Sequence, residues 1–229
     1  MRRLSDKPDP ETCKQRLKEG NTRFVEGVSE HPYSDAARLH QAGTEDQGDH
    51  AFATLLSCSD SRIPLERIFD AGIMDLFVIR VAGNVCQSSE VASIEFGLVY
   101  VKTRLLVIMG HTQCGAVTAT ARAADGAPLP PEDNIPLLFD AILPAVKRAQ
   151  NQHPDLNMAE IIPHATIENV WQSMENLFKA SPVVRNLVKS GMVQVVGAIY
   201  DVGTGHVEWL PENAATDILQ HVESQGQTT

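Results

Sequence analysis

Two apolar runs in this chain each end in a short cluster of thiol, imidazole and charged side chains. That repetition narrows the folds open to it. Ala51-Phe52-Ala53-Thr54-Leu55-Leu56 leads into Cys58-Ser59-Asp60-Ser61-Arg62, and Leu105-Leu106-Val107-Ile108-Met109 leads into Gly110-His111-Thr112-Gln113-Cys114-Gly115. Short runs that are apolar at odd and even positions alike suit strands buried on both faces, the condition of a parallel sheet. Open α/β sheets bind their ligands just beyond the carboxyl ends of such strands. Two strand ends therefore present Cys58, His111 and Cys114 together, a soft donor set that suits zinc.

Local spacing supports the convergence. In extended backbone the side chains repeat every two residues, so Cys58, Asp60 and Arg62 can point to one side. His111 and Cys114 are three apart and share a face if Cys114 opens a helix, whose amino terminus would favour a thiolate. Gly110 and Gly115 permit a tight turn and close backbone approach. A structural zinc site is closed by four protein ligands, whereas a catalytic one keeps three and an open position. The fourth ligand here could be Cys86, Cys13, Asp60 or water, and Cys86 reads better as a small buried side chain.

Asp60 and Arg62 argue for catalysis. A structural site has no use for a carboxylate two residues from a ligand, but a hydrolytic site can use it to accept a hydrogen bond from the attacking water. Arg62 would keep that carboxylate ionised and off the metal. Were the pair to break, Asp60 could reach the open position and close the site.

The remaining composition limits partners and setting. At 229 residues, 43% hydrophobic and 21% charged, the chain suits one sizeable soluble domain with its own core. A formal charge of -10 argues against a nucleic-acid partner. Metal binding in a reducing compartment explains the four cysteines better than a disulfide framework does. No run approaches the ~18 apolar residues of a membrane span, and the Arg2-Arg3 pair has no apolar stretch behind it, so no signal peptide, no membrane partner and a cytoplasmic location are expected.

Along the chain, residues 10–25 read as an amphipathic helix and 31–50 as polar loop. Residues 63–69 read as a short helix after Pro64, 75–80 as a second buried strand, and Ala82-Gly83-Asn84 as a turn. Helical periodicity covers 88–102, capped by Ser88 or Ser89, then 114–124, 134–150 and 155–179, the last interrupted at Pro163. A strand over 193–200 turns at Gly203-Thr204-Gly205 into a hairpin partner. The order predicts an α/β fold: a central, mostly parallel β-sheet with crossover helices and an antiparallel edge strand. An amino-terminal helical arm over 1–50 belongs to the same domain as the α/β body at 51–229.

Cys58-x-Asp60-x-Arg62, Arg80-Val81-Ala82-Gly83-Asn84 and His111-x-x-Cys114-Gly115, in that order, resemble the β-class carbonic anhydrases, from about Ala51 to Asp201. The combination is specific, where His-x-x-Cys alone would be weak. The resemblance implies the same fold and the reversible hydration of carbon dioxide to bicarbonate. It implies one Zn2+ per chain on Cys58, His111 and Cys114, with Asp60 and Arg62 orienting the zinc-activated water. It further implies an apolar pocket of Phe77, Ala82, Phe96 and Gly115, partly across a dimer boundary, in a homodimer or homotetramer whose amino-terminal helices wrap the neighbouring subunit. Packing of those helices on their own domain is the alternative.

Several positions depart from the family pattern. Phe96 replaces a usual Tyr. Asp49 and Ala51 stand where many members carry Gln-x-Pro, with Gln47 two residues upstream. Leu55 replaces the Trp of a bicarbonate-regulated site, which argues against that site here. Hydrolysis of carbonyl sulfide or carbon disulfide is a second enzymatic reading, and a non-catalytic zinc or thiol protein a third. The two thiolates already balance the charge of the ion, so activity is expected to rise toward alkaline pH.

Overall fold

The computed structural model describes residues 7–226; the Arg2-Arg3 pair lies outside the described residues. The apolar runs form the middle of one sheet: β1 (Ala53–Ser57) and β3 (Leu105–His111) are buried at every position. With β2 (Leu76–Arg80), β4 (Gln194–Tyr200) and β5 (Val207–Trp209) they run in the order β2-β1-β3-β4-β5. The first four strands are parallel, and β5 is the antiparallel edge. Alternation explains the unbroken hydrophobicity: Leu55, Val107, Met109 and Ala198 enter one core, while Leu56, Leu106, Ile108 and Val195 enter the other. Each of the Leu, Val, Ile and Met side chains among these contributes roughly 1.5–3 kcal/mol by leaving water.

Helices cover both faces. On the first lie α1 (Pro10–Glu26), α3 (Leu65–Ile68), α5 (Gly115–Ala124) and α6 (Ile135–Gln152); on the second, α4 (Ser88–Glu95), α8 (Pro182–Lys189) and α9 (Asn213–Gly226). The long α7 (Met158–Ala180) serves both, with Ile161 and Ala165 in the first core and Val170, Met174 and Leu177 in the second.

α1 starts where Asp9 accepts the Thr12 amide at 2.9 Å and ends at left-handed Gly27. Cys13 and Leu17 are fully buried, and a Cβ at Gly20 would collide with the Phe69 carbonyl oxygen. Asn21 donates to the carbonyls of Ile68 and Gly205 and accepts the Val207 amide. α1 thus docks on its own domain.

Five expectations need correction. The 31–50 stretch contains α2 (Ala36–Thr44), capped by Asp35. It lacks an apolar stripe because Arg38, bonded to Asp75 and the Ile73 carbonyl, ties it down instead. β2 is half-exposed rather than buried, since it is an edge strand. α4 is capped by Gln87, whose amide donates to Glu90, and not by Ser88 or Ser89; a π-type turn from Phe96 to Tyr100 follows it. α7 runs through Pro163 without interruption, losing one backbone hydrogen bond. Finally, α8 and α9 occupy stretches read as neither helix nor strand.

Candidate metal centre

The carboxyl ends of the two central strands bring three donors together. Cys58 follows β1, His111 is the last residue of β3, and Cys114 caps α5. Their Sγ and ring nitrogen atoms all lie within 4.8 Å of one another, and all three residues are buried. The route differs from the expected one. The chain turns over residues 60–63 rather than staying extended through Arg62, with the Ile63 amide on the Asp60 carbonyl and the Arg62 amide on Asp60 Oδ1. His111 and Cys114 do not share a helix face; the chain reverses between strand and helix at Gln113, whose φ of 58° is left-handed. A non-glycine residue held there costs on the order of 1–3 kcal/mol.

The donor set fits a metal ion. His111 Nδ1 lies 2.9 Å from the Thr112 carbonyl, which accepts its proton and leaves Nε2 as the lone-pair nitrogen. That Nε2 is buried and has no hydrogen-bond partner, an expensive condition unless something coordinates it. The Gly83 amide donates to Cys58 Sγ at 3.3 Å. A hydrogen bond from the Cys114 thiol, with smaller contributions from the amides of Asp60 and Gly83, pulls the Cys58 thiol down against the effect of burial. Two thiols, one buried imidazole and no other His, Cys, Asp or Glu in the cluster among the described residues match a zinc site with three protein ligands. Cys86 and Cys13 are elsewhere in the cores, where burial pushes their thiols up to about 12 and about 11.

Beside the triad, Asp60 and Arg62 form a two-pronged pair: Nε donates to Oδ1 at 2.9 Å and Nη2 to Oδ2 at 2.7 Å. The Arg62 hydrogen bonds hold the Asp60 carboxyl well below the usual carboxylate range. Arg62 also donates to Gln113, at 3.2 Å to its carbonyl and 3.4 Å to Oε1. Arg80 donates to the carbonyls of Cys58 and Asp60 at 3.1 and 2.6 Å, clamping the first loop. Asn169 on α7 donates to the Gly83 carbonyl at 2.6 Å.

Sequence reasoning missed the roles of Gly83, Arg80, Gln113 and Asn169. Gly83 and Arg80 sat in a quoted motif, and Gln113 lay between two ligands. Asn169 carried no signal, being 86 residues from its partner.

The expected pocket residues divide into two groups. Ala82 adjoins Gly83, and Gly115 follows Cys114 at the start of α5. Next to Gly115, a cavity of about 750 Å3 opens between α5 and α7, lined by Gln113, Ala119, Ile162 and Ile167. Phe77 and Phe96 instead pack on each other, with centroids 6.0 Å apart, and Phe96 stacks on Tyr100 at the sheet edge. Phe77 pairs with Thr54 on β1, four residues before Cys58, or about 13 Å along a strand. Within one chain these two aromatic residues are separate from the triad.

A doubly covered parallel sheet with a buried Cys-His-Cys triad and a carboxylate-guanidinium pair at its carboxyl end defines a narrow class of proteins. A sequence model of the carbonic anhydrase family matches residues 53–207. The chain is 30% identical to carbonic anhydrase 2 of Mycobacterium tuberculosis over 197 residues, 86% of this chain and 91% of that protein. It is 29% identical to the carbonic anhydrase of Mycolicibacterium smegmatis over 203 residues, 87% and 93% of the two chains. The crystal structure of the β-carbonic anhydrase CafA of Aspergillus fumigatus superimposes with a TM-score of 0.63 at 27% identity, covering 92% of this chain and 98% of that one. The chain belongs to the β-class carbonic anhydrase family and is an enzyme of that family.

Proposed function

We propose that the enzyme catalyses the reversible hydration of carbon dioxide to bicarbonate and a proton, with one zinc ion per chain on Cys58, His111 and Cys114. The observation that carries this reading is the orphaned, buried Nε2 of His111 between two thiols, next to an ionised Asp60. Bound zinc supplies a Lewis acid that makes water a usable nucleophile near neutral pH.

The chain's own residues do the rest. Asp60 is an acceptor only, because Arg62 occupies both its oxygens and keeps it ionised. It can therefore take a hydrogen bond from the attacking water and turn a lone pair toward the carbon. As that O–C bond forms, a C–O π pair moves onto oxygen, and the proton leaves to solvent.

Ala82 and Gly115 adjoin the reacting centre, while Phe77 and Phe96 are assigned to the pocket of a neighbouring subunit. Among the described residues β2 ends the sheet with an unpaired edge, and the neighbouring Phe96 and Tyr100 are 47% and 61% exposed; that apolar edge supports a homodimer. Pairing of such dimers would give a homotetramer. Four free cysteines accord with a reducing, cytoplasmic setting.

Stopped-flow hydration of CO2 with a pH indicator tests the proposal, on protein loaded with zinc and on the same protein stripped by chelator. Turnover should follow zinc and rise toward alkaline pH. Stoichiometric zinc without hydration above the buffer rate would overturn it.

A further inference from the structure

Arg62 has more donors than Asp60 can use, and the surplus goes to one residue. Gln113 takes Nη2 on its carbonyl at 3.2 Å and Nη1 on its side-chain Oε1 at 3.4 Å. The guanidinium thus lies between the Asp60 carboxylate and Gln113. It joins the turn that carries Cys58 to the turn that carries His111 and Cys114.

Gln113 holds a left-handed backbone, φ 58°, without the short side chain that lets Asn or Asp bond locally in that region. Strained backbone of this kind collects at functional sites. Arg62 is 46% exposed on its side chain, so little besides Asp60 and Gln113 holds its end in place.

We propose that Gln113 is a positioning residue: it anchors Arg62 from the second metal loop and so keeps Asp60 paired with Arg62 and turned toward the reacting centre. This rests on the proposed role of the Asp60-Arg62 pair. The side chain contributes through Oε1, and the left-handed turn contributes by presenting the carbonyl. Loss of the side chain frees one of the two anchors, so Arg62 samples other orientations and Asp60 is held less often in the productive one.

The experiment follows the Arg62 Nε–H signal by 15N NMR in zinc-loaded protein, assigned with Arg62→Lys, alongside CO2 hydration. Gln113→Gly deletes the side chain and relaxes the backbone; Gln113→Asn keeps a residue at ease with positive φ but shortens the reach; Gln113→Glu keeps an acceptor at the same length. Gly and Asn should each speed Nε–H exchange and lower kcat/KM by about three- to tenfold, the scale of one modest hydrogen bond. Glu should keep the signal protected and retain more activity than either.

Protection and kcat/KM at the wild-type level in both Gly and Asn variants would overturn the proposal. A purely conformational role for position 113 predicts that outcome, because Gly and Asn both satisfy the turn. Asp60→Asn separates this test from the reading beneath it. Should that change leave Nε–H exchange unaltered, the pair itself fails; if only the Gln113 variants are silent, the pair stands and the anchor falls.

Discussion

The two ends of the sheet both bury ionisable groups beside arginines, yet they are finished differently. At the amino end, Asp70, with a fully buried side chain, accepts Arg23 Nε at 2.6 Å and the amides of Glu30 and His31 at 3.0 and 2.9 Å. Asp75 accepts Arg38 at 2.9 Å and the Gly72 amide at 2.9 Å, while Arg38 spends other donors on the Ile73 carbonyl and His50. These groups line a cavity of about 480 Å3, but their polar atoms meet one another. At the carboxyl end, His111 Nε2 is buried without a partner and two thiols face it. A cluster whose members satisfy each other holds the fold together, and one left incomplete is poised to bind.

The largest contrast comes from removing a donor at the incomplete end. Cys114→Ser should leave zinc well below one ion per chain by elemental analysis. CO2 hydration should fall at least about a thousandfold, as the several kcal/mol of Lewis-acid stabilisation go with the ion. Asp60→Asn should retain zinc but lower kcat/KM about a hundredfold, the scale of a positioned proton acceptor. A fall of less than about threefold would take the carboxylate out of the mechanism.

Changing the finished end should alter stability and spare chemistry. Asp70→Asn leaves Arg23 without its carboxylate and should cost about 3 kcal/mol in urea unfolding at pH 7, with the rate per folded molecule unchanged. Burial alone would raise the Asp70 carboxyl; the Arg23 bond and the Glu30 and His31 amides bring it below its ordinary 3.8. A depressed folded-state value means that this stabilisation is fully present above the unfolded value near 3.8 and drains away as pH falls below it. The wild type should therefore lose stability more steeply than the variant in that acid range. The smallest effect belongs to Cys86→Ser, which should leave zinc content unchanged and cost on the order of 1–2 kcal/mol by burying a hydroxyl.

What was legible in the sequence follows from the same physics. β1 and β3 announced themselves because both faces are covered, whereas β2, a half-exposed edge, was overread as buried. α2 escaped because one arginine, not an apolar stripe, holds it; its Leu39 is 64% exposed. α9 went unread although Ala215, Leu219 and Val222 recur at helical spacing and enter the second core. The triad could be picked out from residue type and spacing, but not its local geometry: a turn at Asp60 and a left-handed residue at Gln113 do what an extended segment and a helix face were expected to do. Contacts such as Asn169 with Gly83 depend on the fold bringing distant segments together, and no local pattern encodes them.

The most direct measurement is a crystal structure of the zinc-loaded protein with anomalous scattering collected across the zinc edge. The expected map shows one ion on Cys58, His111 and Cys114, at about 2.3 Å from sulfur and about 2.0–2.1 Å from nitrogen, with Asp60 still paired to Arg62 and no fourth protein ligand. An ion outside the triad, or one closed off by a fourth side chain in every subunit, would contradict the incomplete site on which the proposed chemistry depends.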